Sequence, residues 1–105
     1  MFIIVFHFFN IYHIYKMNKY LVEFLGTLLI VFVVFATGNW AAVGVAVSIA
    51  VYLGGKISGG FYNPAVAIPF YAAGKLAKAD LLPYIVAETL GGLAAFYLYV
   101  SFVKA

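Results

Sequence analysis

Apolar runs long enough to cross a lipid bilayer alternate along this chain with short clusters of glycine, asparagine and lysine. A hydrocarbon core of about 30 Å needs about 20 apolar residues in a helix. The first such run covers residues 20–36 and stops at Thr37-Gly38-Asn39, residue types that favour a turn. The second covers 40–53, with its end expected at Gly54-Gly55-Lys56. A last run, 81–103, carries Pro83 in its expected first turn, where the missing N–H does little harm. Between the second and last runs, residues 63–73 are apolar but reach only about 16 Å as a helix, roughly half the core. Such a piece is a helix that enters the membrane and turns back, or else a buried or interfacial one. The pattern predicts an all-α membrane protein with three transmembrane helices and one re-entrant half-helix.

The approach to the short helix is Ser58-Gly59-Gly60-Phe61-Tyr62-Asn63-Pro64-Ala65-Val66-Ala67. Asparagine is a preferred N-cap, and proline fits the first helical position because its missing N–H would have no partner there anyway. Gly59 and Gly60 permit a tight turn just before the cap. A helix beginning at Asn63 directs free N–H groups and the positive end of its dipole at whatever lies in front of it. Between transmembrane spans, that geometry reads as part of a pore. The plainer reading is the start of a buried helix.

Composition narrows the class. Hydrophobic residues make up 68% of the 105 residues and charged residues 9%; the mean hydropathy is +1.13. These values describe an integral membrane protein. The net charge of +3 comes from six lysines with no arginine. In a membrane chain, lysine placement reports topology, and nucleic-acid binding is not expected. Lys16, Lys19, Lys56, Lys75 and Lys78 fall on one side of the expected arrangement and Lys104 alone on the other, which puts the N-terminus in the cytoplasm. No cysteine is present to form disulfides or thiolate metal sites. One Asp, two Glu and two His are too scattered for a catalytic constellation. His7 and His13, six residues apart, do not share a helix face, so no metal or other cofactor is expected and an enzyme is not.

Residues 1–16 stand apart. They are apolar and aromatic, uncharged as far as Tyr15, and short for a span, and they lack the features of a signal peptide. Met17-Asn18-Lys19-Tyr20 looks like a more natural beginning. The expected division is a doubtful extension or upstream start over 1–16, or an interfacial aromatic anchor, and a single unit over 17–105. Within that unit, Ala42, Ala46, Ala50 and Gly54 recur every fourth residue, as do Ala87, Gly91 and Ala95. Small residues at this spacing let helices approach closely in lipid. Glu23 and Glu88 fall inside the first and last spans, where charge is costly. Each is expected to face the bundle and find donors, to be protonated, or to snorkel to the interface.

Three stretches in order carry a family resemblance. Val22-Glu23-Phe24-Leu25-Gly26-Thr27 resembles the AEFxGT-type start of aquaporins, the major intrinsic protein family. Gly55 to Val66, containing Asn63-Pro64-Ala65, resembles their first Asn-Pro-Ala loop. Ala87-Glu88-Thr89-Leu90-Gly91-Gly92 looks like their AQxxGA stretch. The resemblance covers residues 17–103 and implies one of two inverted repeats, that is, half of a channel for water or small neutral solutes such as glycerol. A pore would then need a second copy in a homo-oligomer, or a complementary second-half chain. The alternative is a truncated, non-conducting membrane protein that acts only as an interaction partner.

On this reading Asn63, Pro64 and Ala65 form the pore motif, and the Asn63 amide N–H meets a passing oxygen. Backbone carbonyls over Gly59, Gly60, Phe61 and Tyr62 would accept hydrogen bonds from the solute, and the positive helix end would oppose cations. The resemblance further implies that Glu23 braces the re-entrant loop by accepting its N–H groups. There are departures from the family pattern. Phe61 stands where histidine is usual, Glu88 where glutamine is usual, and Val43 where a filter position is often aromatic, which hints at a wider passage. Pro69 falls inside the half-helix and removes a backbone bond there.

Overall fold

The computed structural model describes residues 2–104, with side chains for 3–4 and 18–104. The expectations about His7 and His13 fall outside the described side chains. Four α-helices follow in order: α1 (Phe2–Thr37), α2 (Trp40–Ser58), α3 (Pro64–Ala72) and α4 (Lys78–Tyr99), the last continued by a π-helical segment, Val100–Lys104. The stretches Asn18–Thr37, Trp40–Ser58 and Lys78–Lys104 are each long and apolar enough to cross a membrane. The protein is an all-α, multi-pass integral membrane protein.

Local chemistry explains most boundaries. At the α1–α2 turn, Thr37 Oγ1 bonds back to the Val33 carbonyl and accepts from the Asn39 N–H. Asn39 then caps α2 by accepting from the Ala42 N–H at 2.9 Å. Two boundaries differ from the sequence expectation. α2 does not stop at Gly54-Gly55-Lys56 but continues to Ser58, because Gly54 sits under a packed side chain where its lack of a Cβ is needed. α4 begins at Lys78, three residues before the expected start, so Pro83 lies in its second turn. Pro69 is carried within α3 without breaking it.

α1 lies in the middle, packed by both α2 and α4, while α3 packs on α4. The stripes of small residues face these contacts: Ala46, Ala50 and Gly54 are buried on α2, and Gly91 and Ala95 on α4. At Gly91 an added Cβ would fall 2.4 Å from the Phe24 carbonyl oxygen of α1, so the two backbones nearly touch. A small cluster of Ala67, Leu76 and Tyr84 ties α3 to α4, with Tyr20 and Phe61 against it. Large apolar side chains such as Trp40, Tyr52 and Phe102 point outward, as a lipid-facing surface requires.

Candidate functional site

Between α2 and α3 the chain makes a turn that few sequences could follow. Gly59 (φ +95°), Gly60 (φ +67°) and Tyr62 (φ +56°) all occupy left-handed backbone conformations. For a tyrosine this costs about 1–2 kcal/mol, so something must hold it. The holder is Glu23, fully buried on α1. Its Oε1 accepts from the Tyr62 N–H at 2.7 Å, and its Oε2 accepts from the Phe61 N–H at 3.1 Å and the Ser58 hydroxyl at 2.7 Å. Hydrogen bonds to an ionised acceptor contribute about 1.5–3 kcal/mol each, more than the strain of one left-handed residue. Thr27, one turn along from Glu23, places its hydroxyl 3.1 Å from the Tyr62 carbonyl.

The Tyr62 side chain locks the turn from the other side. Its side chain lies over Gly26 of α1 and Gly54 of α2: an added Cβ would fall 2.0 Å from a ring carbon at Gly26 and 2.0 Å from the hydroxyl oxygen at Gly54. Its hydroxyl donates to the Ala50 carbonyl, midway along α2. That contact fixes the turn against the middle of α2 through the residue before Asn63. Tyr84 of α4 completes the frame by donating to the Ser58 carbonyl at 2.6 Å. Nearer the start of α4, Asp80 accepts from Lys19 Nζ at 2.7 Å and from the Tyr20 hydroxyl at 2.6 Å, tying α1 to the start of α4.

Asn63 emerges from this frame exposed, with Oδ1 accepting from the Ala65 N–H at 2.9 Å. Committing the oxygen to the cap leaves the amide nitrogen, with its two N–H donors, on the free side. It lies on the wall of a cavity of about 210 Å³. Ile30, Val47, Val51 and Val66 form the apolar part of that wall, and Gly60, Phe61 and Tyr62 join Asn63 on the other part. The space is thus walled by aliphatic side chains on one side and by the turn and Asn63 on the other.

The residues expected from the sequence divide accordingly. Asn63, Gly60, Phe61 and Tyr62 meet at the cavity; Gly59, Pro64, Ala65 and Val43 do not line it. Gly59 ends α2, Pro64 opens α3, and Ala65 donates the N–H that Asn63 caps. Val43 lies one turn from Val47 on the same face of α2. The Phe61 ring does not project as a polar group would. It packs on Phe70, with centroids 4.6 Å apart, and on Tyr84 at 5.9 Å. Glu88 is buried, and no lysine reaches it: neither of its oxygens has a hydrogen-bond partner among the described residues.

Sequence reasoning did not single out Ser58, Thr27, Tyr84, or the bracing role of Tyr62 through its side chain. One signal was available: Glu23, Gly26 and Thr27 share a helix face, so whatever Glu23 grips must also pass over Gly26 and reach Thr27.

Comparison with known proteins gives a consistent result. The family model described as major intrinsic protein matches residues 10–105. The chain is 41% identical over 98 residues to glycerol uptake facilitator protein-like 6 of Lactiplantibacillus plantarum, covering 85% of this chain and 45% of that protein. It is 39% identical over 100 residues to aquaporin Z of Photorhabdus laumondii, covering 80% and 43%. With the glycerol uptake facilitator protein of Buchnera aphidicola it shares 47% identity over 60 residues, covering 53% and 23%. The chain therefore spans less than half the length of these relatives. No solved structure gave a significant match. With its braced Asn-Pro-Ala turn and three membrane-spanning helices, the chain belongs to the major intrinsic protein family.

Proposed function

We propose that this chain supplies one half of a pore for water or small neutral solutes such as glycerol, the other half coming from a second copy or a complementary chain. The observation that carries the reading is the position of Asn63. Asn63 lines a cavity at the positive end of a short helix whose approach is fixed by Glu23. A neutral molecule leaving bulk water needs replacement hydrogen-bond partners, and the Asn63 amide with the adjacent backbone offers them. A cation meets the positive end of α3 and apolar walls. The relatives' names, aquaporin and glycerol uptake facilitator, agree with such a solute class. On this reading Val43 lies along the same passage, one turn beyond the cavity, and the lysine distribution keeps the N-terminus in the cytoplasm.

The test is osmotic response of liposomes holding the purified chain, alone and together with a second-half chain. Faster volume change than protein-free vesicles, for water or glycerol, is the expected result. Asn63→Asp replaces the donor with a carboxylate and should slow permeation at least tenfold, equivalent to about 1.4 kcal/mol of barrier. Protein-free rates for both solutes in every combination would refute the pore.

A further inference from the structure

Glu88 lies in α4 at 1% exposure, and Glu23 in α1 at 0%. The two carboxyl groups lie at the α1–α4 contact, each about one turn before Thr27 and Gly91, where the helices touch; the Asn63 backbone and Tyr84 are also near Glu88. They differ in what surrounds them. Glu23 accepts three hydrogen bonds, from Ser58, Phe61 and Tyr62. Glu88 accepts none with good geometry, and a second carboxylate beside the first would be repelled in a medium that screens poorly.

Among the described residues no cation is hydrogen-bonded to Glu88. Lys19 is committed to Asp80, and the described residues contain no cluster of three or more metal-ligating groups. Neither the 210 Å³ cavity nor the 330 Å³ apolar groove between α1 and α2 is lined by Glu88. Nearby hydroxyls are already in use: Ser58 of α2 donates to Glu23, Tyr84 of α4 to the Ser58 carbonyl, Thr27 to the Glu23 carbonyl and Tyr62 to the Ala50 carbonyl. An ionised carboxylate offers about four acceptor sites, so Glu23 has room for one more donor.

We propose that Glu88 is held as a neutral carboxylic acid and donates its proton to the Glu23 carboxylate, so that one buried proton completes the donor set positioning the turn before Asn63. Glu88 is then a positioning residue acting through Glu23. A glutamine would supply the same donor permanently, through its amide N–H. The shared proton would hold the turn whether or not the pore conducts.

Infrared spectroscopy of the full chain in lipid bilayers at neutral pH tests it, using protein with natural and with ¹³C-labelled glutamate. The chain holds two Glu and one Asp, so assignment is direct. The expected result is the carbonyl stretch of a protonated carboxylic acid, moved by glutamate labelling and lost in Glu88→Gln. Glu88→Asp should move the band off the glutamate label. In Glu23→Gln the band should persist at higher frequency, because its acceptor has changed from an anion to an amide. Absence of the band from the unmodified chain would overturn the proposal. So would a band indifferent to the label, one that survives Glu88→Gln, or one lost in Glu23→Gln alone.

Discussion

Replacing Gly54 by alanine tests whether the Tyr62 side chain is the part that fixes the turn against α2. The new Cβ would fall 2.0 Å from the Tyr62 hydroxyl oxygen and 2.6 Å from Val22 Cγ1, so the hydroxyl must retreat about 1.4 Å to reach ordinary 3.4 Å contact. It has little freedom to do so, because its backbone N–H is held by Glu23 and its oxygen by the Ala50 carbonyl. Overpacking of this kind costs about 1–3 kcal/mol, and loss of the Tyr62 hydrogen bond adds about 1 kcal/mol. Alanine's helical advantage over glycine returns about 0.5–1 kcal/mol. The net expectation is a loss of about 2 kcal/mol, up to about thirtyfold in the folded-to-unfolded ratio. Titration with SDS in mixed micelles, followed by helical circular dichroism, measures it. Tyr62→Phe alone should cost about 1 kcal/mol. In the Gly54→Ala/Tyr62→Phe double variant the oxygen is absent, so the losses should fall short of additive by about 1 kcal/mol. Gly44→Ala in the same helix meets nothing within 4 Å and should be neutral or slightly stabilising. A Gly54→Ala protein as stable as the unmodified chain, or strict additivity in the double variant, would refute the role given to Tyr62.

Further predictions concern other parts of the frame. Gly91→Ala should lose about 3 kcal/mol in the same titration, because its Cβ meets the backbone carbonyl of Phe24, which cannot rotate away. Tyr84→Phe removes the donor to the Ser58 carbonyl and should cost about 1 kcal/mol, with faster amide hydrogen exchange at Gly60, Phe61 and Tyr62. Lys19→Met breaks a partly exposed ion pair with Asp80 and should cost less than about 1 kcal/mol, a difference that shrinks at high salt.

Much of the architecture is legible in the chain because lipid imposes a simple rule. Every backbone polar group in the membrane needs an internal partner, so a long apolar run must be a helix. The turn residues at Thr37-Gly38-Asn39 and the Asn63-Pro64 helix start act locally, and both stand where local chemistry puts them. The end of α2 was not legible. Gly54-Gly55 reads as a breaker in isolation, yet Gly54 is a seat for a ring arriving from residue 62. The missed partners are of the same kind: Ser58 and Tyr84 are ordinary helix residues until a carboxylate 35 positions away, or a carbonyl 26 positions away, comes within reach.

The sequence by itself determined the number of spans, the place of the short helix and the identity of its cap, since these follow from hydropathy, length and residue geometry over a few positions. Tertiary structure alone decided what faces what. It put three donors on Glu23 and, among the described residues, none on Glu88, and it made the Tyr62 side chain an anchor of the turn. The physical reason is range. Helix formation and capping act over a few residues along the chain, whereas satisfying a buried carboxylate depends on groups that only folding brings together.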